Sequence, residues 1–197
     1  IIEGKKMNSF HLKTISVLHI FSAVITIVAL FSIYYFFDNQ AHAGGPTAVT
    51  ITLLAAISWF ALVFLKKSIH QKIESIIQSS QCANFSAQNT LSFTDVRQGK
   101  YIGIDKNNGT MLVFSLREKI GNIASGIDFK DLLGYELSDC NLTLKFNNPN
   151  TPTFNINSNA KIKEFCHKLD VFLSKSFKPE HDTGKTFSQF VQAKPYA

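Results

Sequence analysis

The sequence predicts an α+β chain: a two-span transmembrane helical hairpin, then an antiparallel β-rich domain closed by a C-terminal amphipathic helix. Three observations predict it. Residues 14–37 and 46–65 are apolar runs without a single charge, separated only by 38–45. From Cys82 onward short β-rich runs alternate with turn residues. Ile162, Phe165, Cys166, Leu169, Phe172 and Leu173 then recur at helical spacing, with charges between them.

A helix needs roughly 20 apolar residues to cross about 30 Å of hydrocarbon, and each run is long enough. A long helix in a soluble core normally shows a polar stripe, whereas 14–37 offers only scattered Ser, Thr and His19. A signal peptide has an apolar core of roughly 7–15 residues before its cleavage site. The first run is longer and ends in Tyr34-Tyr35-Phe36-Phe37, an interfacial aromatic belt. The connector is too short for a domain, so the runs form an antiparallel hairpin (14–65). Lys5, Lys6 and Lys13 precede it, Lys66, Lys67 and Lys72 follow it, and the connector carries Asp38 and no Lys or Arg. By the positive-inside rule both termini are cytoplasmic, including the N-terminal stretch 1–13. Met7 reads as the natural start, so 1–6 are left out of the fold reading. His19 has no Asp, Glu, Lys or Arg beside it in the span, so it is expected to face the partner helix and not to serve transport.

Composition narrows the cargo. Of 197 residues 45% are hydrophobic, which suits a small anchor and one modest domain. The formal net charge of +6 divides evenly, +3 up to Gln81 and +3 from Cys82 onward, without a dense basic block. Nucleic-acid binding is therefore not expected. Cys82, Cys140 and Cys166 are odd in number and widely spaced, giving neither a disulfide framework nor a zinc site. The sequons at Asn84, Asn108 and Asn141 are chance matches if the domain is cytoplasmic.

Residues 66–81 continue the second span as a polar helix. Ile69, Ile73, Ile76 and Ile77 make one stripe, suited to packing on the domain or on a symmetry mate; the latter would give a homo-oligomer through this juxtamembrane helix. The domain (82–178) opens with an irregular lead-in and a short strand. Runs 100–105 and 110–115 flank Lys106-Asn107-Asn108-Gly109, and an Asn-Gly pair between β-rich runs is a strong hairpin signal. Further strands are expected over 121–125, within 127–138, and at 142–146, where Leu142, Leu144 and Phe146 alternate with Thr143 and Lys145. Asn147-Asn148-Pro149-Asn150 turns the chain into a last strand, 153–156. Ser158 or Asn159 caps the closing helix, which covers an open end of the sheet. Pro179 ends it, and 179–197 reads as a flexible polar tail with isolated Phe187 and Phe190.

The run Tyr101-Ile102-Gly103-Ile104-Asp105 with its hairpin, followed by Phe129-Lys130-Asp131-Leu132-Leu133-Gly134-Tyr135-Glu136-Leu137, resembles small bacterial proteins with pleckstrin-homology-like domains. The likeness covers roughly 99–174 and rests on strand alternation and turns. It implies a β-sheet domain that binds peptides, proteins or lipid headgroups and brings no catalytic residues. A two-span anchor with cytoplasmic cargo is also similar to surface exclusion proteins of conjugative plasmids, which implies a multi-pass protein of the bacterial inner membrane.

The six histidines show no H-x-x-x-H or H-E-x-x-H spacing, so no metal is expected. Cys166 and His167 are adjacent on a helix and point in different directions. The glycines at 99, 103, 121 and 126 lack the Lys-Ser/Thr ending of a phosphate loop. Asp128 and Asp131 have no nucleophile or second base nearby in sequence. No enzyme and no cofactor are expected. Two classes remain: a tethered domain that binds a membrane-associated protein partner, or a lipid-headgroup or small-ligand sensor. The sensor would use a basic rim of Lys100, Lys106, Arg117 and Lys119, converging near the first hairpin. Equally, those cations can be a solvated edge that discourages sheet-to-sheet association.

Overall fold

The computed structural model describes residues 9–39, 45–116, 124–139, 141–149, 151–157, 162–174, 177–181 and 183–194. The expected connector core at 40–44, strand residues 121–123, the caps Ser158 and Asn159, and the chain start lie outside them.

Two long helices come first, α1 (Ser9–Asn39) and α2 (Gly45–Ser80), packed on each other along a seam of small side chains. Ala48, Ala55 and Leu62 are buried at every seventh position along the apolar part of α2, and Ser22 and Ala29 are buried on α1. Seven-residue spacing keeps one stripe facing a neighbouring helix, and small residues let backbones approach closely. The seam hydroxyls are satisfied within their own helices: Ser22 Oγ donates to the Leu18 carbonyl at 2.8 Å and Ser58 Oγ to that of Ala55 at 2.9 Å. Trp59 Nε1 donates across the pair to Thr26 Oγ1 at 2.9 Å.

The outer faces of both helices are apolar and open. Each helix is long and apolar enough to cross a membrane, and only 11% of the window 17–34 and 22% of 47–80 is buried. Among the described residues, every exposed large apolar side chain except Leu133, Leu137 and Val171 lies on α1 or α2. That is the opposite of a hairpin in a soluble core.

Residues 66–80 continue the second apolar run in one helix, as the sequence reading expected. They are the last part of α2, which runs without a break from Gly45 to Ser80.

After α2 the chain turns back through a bridge between Cys82 and Phe85 and a 3-10 turn at Asn89–Leu91. Then β1 (Ser92–Asp95), β2 (Lys100–Asp105), β3 (Thr110–Ser115) and β4 (Ala124–Asp128) form an antiparallel sheet in sequence order. β5 (Leu132–Leu137), β6 (Asn141–Phe146) and β7 (Thr153–Asn157) form a second antiparallel sheet. The strand expected over 121–125 corresponds to β4, whose described residues are Ala124–Asp128. The helices α3 (Ile162–Leu173) and α4 (Gly184–Gln192) complete the chain.

Side-chain alternation sorts the first sheet into two faces. Ile102, Ile104, Met111, Val113 and Ile127 point inward and pack with Leu142, Leu144, Phe154 and Ile156 of the second sheet and with Ile162, Phe165, Cys166 and Leu169 of α3. Tyr101, Leu112, Phe114 and Ala124 point the other way, where Ile69, Ile73 and Ile76 of α2 meet Phe85 and Phe187 and Val191 of α4. Both faces are covered, so β3 is buried at every position. The second sheet keeps one wet face, with buried and open residues alternating along β6 and β7.

One expectation is overturned. The described part of 179–197 is not a flexible tail: within it α4 packs on β4. Phe187 and Val191, four residues apart, fall on one helical face and are fully buried. Gly126 makes room for them, since a Cβ there would stand 2.9 Å from Val191 Cγ2 and 3.1 Å from Phe187 Cδ1. Phe187 stacks on Phe85 with centroids 4.6 Å apart. The polar residues between these anchors belong to the solvent face of a short amphipathic helix.

Candidate functional site

The two ends of the first sheet differ in chemistry. At one end is the loop 106–109. It is held from several sides, with Asp105 at its centre. The buried Asp105 carboxylate accepts the N–H groups of Asn107 (3.0 Å) and Asn108 (3.2 Å), the Asn108 side-chain amide (2.8 Å), and the N–H of Ser86 (2.8 Å). Charge-assisted bonds of this kind offset the cost of burying a carboxylate. Gly109 has φ 61°, and Pro179 Cγ lies 2.8 Å from where its Cβ would be. His181 N–H donates to the Asn107 carbonyl at 3.0 Å, Phe129 N–H to the Gly109 carbonyl at 3.0 Å and Thr183 Oγ1 to the Asn108 carbonyl at 3.3 Å. This loop is a structural knot.

Asp128 belongs to the same architecture. Its side chain caps the 3-10 turn Phe129–Asp131 by accepting the Lys130 N–H at 3.0 Å, and it lies directly beneath Gly184 at the start of α4. Any Cβ at 184 would collide with it. Asp128 is thus engaged at the turn and at the start of α4.

Of the four cations of the expected rim, the two among the described residues separate. Lys100 opens β2, donates to the Asn155 carbonyl and lies over the Phe154 ring at 5.7 Å. Lys106 stands exposed in the loop at the far end of the same strand, roughly 20 Å away at about 3.3 Å per residue. Arg117 and Lys119 lie outside the described residues. Lys100 and Lys106 therefore do not share one rim.

The surface that sequence reasoning missed lies along β5. This strand is an edge, paired with β6 alone. Its register shifts between Leu132 and Gly134, so Leu133 is the extra residue of a bulge and points out, 67% exposed. Leu137 is 41% exposed, and Val171 on α3 is 62% exposed. Between them Tyr135 donates its hydroxyl to Asp170 at 2.7 Å, tying β5 to α3. Burial, reinforced by the Asp170 carboxylate, pushes the Tyr135 phenol up to about 12, so it stays a donor at neutral pH. Phe129 stacks on Phe172 of α3, and Phe177 meets both rings edge-on. The signal was available in Leu132-Leu133: adjacent residues of a strand face opposite ways, so one of the two had to be exposed.

The remaining reactive groups have structural surroundings. Cys166 is buried in the core while its neighbour His167 is exposed. Burial and Asp170 push the Cys166 thiol up, which keeps it protonated and a poor nucleophile. His70 meets Glu74 at 3.1 Å on the exposed side of α2. His19 lies edge-on to Trp59 in the α1–α2 seam, with ring centroids 6.0 Å apart. Among the described residues no three His, Cys, Asp or Glu side chains gather as a metal-binding group. The chain matches no protein-family profile, no curated protein and no solved structure.

Proposed function

We propose that the protein is a membrane-anchored interaction module. Two spans carry a pleckstrin-homology-like domain, which acts stoichiometrically by binding a membrane-associated protein partner along the β5–α3 seam. One observation carries this reading: among the described residues outside α1 and α2, the exposed large apolar side chains are Leu133 and Leu137 on β5 and Val171 on α3, the two elements that the Tyr135–Asp170 bond ties together. An edge strand beside a helix offers unpaired backbone groups and apolar anchors to an extended segment, the usual terms of strand addition. The domain assignment is supported by a four-stranded and a three-stranded antiparallel sheet, each in sequence order, followed by α3. Anchoring raises the effective concentration of the seam toward partners held in the same membrane.

Photo-crosslinking in cells tests the reading. With a photoreactive residue at Leu133, Leu137 or Val171, one discrete adduct in the membrane fraction is expected, and none from position Lys106 or Asp139. Identical products from all five positions would refute the seam. The resemblance to surface exclusion proteins adds a phenotype: recipient cells expressing the chain should take up the cognate plasmid less, and Leu133→Asp should remove the effect.

A further inference from the structure

We infer that the end of the first sheet opposite the 106–109 loop faces the bilayer surface and rests on anionic phospholipid headgroups through Lys66, Lys67, Arg97 and Lys194. This rests on the membrane-spanning reading of α1 and α2. The geometry follows from how α2 leaves the hairpin. Its far end, Ser80, lies just before Asn84 and Ser86, which bond to Thr110 and Asp105 at the loop end of the sheet. Traced back toward the apolar run, α2 lays Ile76, Ile73 and Ile69 on the outer face formed by Leu112, Phe114 and Leu116. Ser80 back to Ile69 covers roughly 16 Å of helix, and β3 from Thr110 to Ser115 covers roughly 17 Å. The two lengths match, so Ile69 stands level with the opposite strand end, where Lys100 pairs with Ser115 and Ala124 with Phe114.

Lys66 and Lys67 sit one turn before Ile69, at the end of the charge-free run. The turn at 96–99 and the last residues of α4 share that end of the sheet. α4 starts over Asp128 and crosses Gly126, so its C-terminus projects past Ala124. There Lys194 lies over the Phe190 ring at 4.6 Å. Arg97 is exposed in the turn, and the nearest acid in sequence, Asp95, is engaged by the N–H groups of Arg97 (2.9 Å) and Gln98 (3.1 Å). Cations held at this level of the anchor meet a surface whose anionic lipids attract them within about a Debye length. Lys106, at the other end, takes no part. The same geometry turns the 106–109 loop away from the membrane.

Hydrogen exchange of the full chain in nanodiscs tests this, comparing phosphatidylcholine alone with phosphatidylcholine plus phosphatidylglycerol. Amides of 96–99 and 193–194 should exchange several-fold more slowly on the anionic discs, with the difference lost at high salt and in a Lys67→Glu/Arg97→Glu/Lys194→Glu variant. Amides of 106–109 should not respond. Equal exchange at 96–99 in both lipids, or slowing at 106–109 instead, would overturn the inference. Quenching of Trp59, the chain's single tryptophan, by lipids brominated on their acyl chains separates the two readings. An unquenched Trp59 removes the spans, and this inference with them. A quenched Trp59 without lipid dependence at 96–99 leaves the spans and refutes this inference alone.

Discussion

Replacing Phe187 by alanine is the most direct test of how α4 is held. Its side chain is fully buried, stacked on Phe85 and pressed against Gly126. Gly126 has no side chain to move into the gap, and Phe85 is itself fully buried and fixed by the bridge to Cys82. The site is therefore poorly able to collapse, which places the cost toward the middle or top of the usual range of about 3–5 kcal/mol for Phe→Ala. For a chain of this length each kcal/mol lowers the melting temperature by about 2–4 °C, so the midpoint should fall by roughly 8–20 °C. Calorimetry of the full chain in detergent micelles measures this, with Lys185→Ala and Gln189→Ala on the exposed side of the same helix as controls. A cycle with Phe85→Ala should return a coupling of about 0.5–1.5 kcal/mol for the stacked pair. If Phe187→Ala costs less than about 1 kcal/mol, a loss typical of surface positions and not of a buried ring, then α4 is not part of the core and the argument fails.

Other outcomes follow from the same packing. Phe165→Ala and Leu169→Ala, at the buried centre of α3, should each cost about 2–5 kcal/mol, whereas Lys163→Ala should change stability little; equal melting points for Phe165→Ala and the parent would remove α3 from the core. Reporter fusions at Gly45 and after Ala197 should report opposite sides of the membrane, and matching signals would end the hairpin topology. Burial pushes the Tyr101 phenol up to about 12, opposed by a hydrogen bond with Ser92. Its ordinary value, reached in the unfolded chain, is near 10. The Tyr101 contribution is thus intact below about pH 10 and lost as pH rises through about 12, at about 1.4 kcal/mol per pH unit between them. Tyr101→Phe should lose less stability than the parent between about pH 10 and 12 in urea titrations. Parallel losses in the two proteins would show that Tyr101 does not ionise on unfolding.

What the sequence discloses depends on how local each cause is. The two apolar helices, the 100–115 hairpin, the alternation at 142–146 and the α3 stripe are written in neighbouring residues, and each appears where its pattern lies. α4 escaped because its case rests on a partner: Phe187 and Val191 look like isolated apolar residues until Gly126 and Phe85 supply a pocket. Continuous burial of Met111-Leu112-Val113-Phe114 was a visible hint that both faces of β3 are covered, since strands buried on both sides read as unbroken apolar runs. What covers the second face comes from residues 69–76 and 184–192, which no local pattern connects to β3. Lys100 and Lys106 are close in sequence, but an extended strand spends its length separating them.

The uninterrupted course of α2 also has a mechanical meaning. From Thr47 to Ser80 it contains neither proline nor glycine, the usual sites of sharp bending, and three isoleucines near its end are clasped by the first sheet. In the proposed membrane setting such a shaft works as a lever. A change of about 10° in the tilt of the spans, within the range helices adopt in bilayers, carries Ser80, roughly 22 Å beyond Leu65, sideways by about 4 Å. Rotation of the helix pair about its own axis would likewise turn the β5–α3 seam toward a different bearing around the anchor. Bilayer thickness and the packing of α1 on α2 thereby become variables that aim the domain, with no joint between them to absorb the motion.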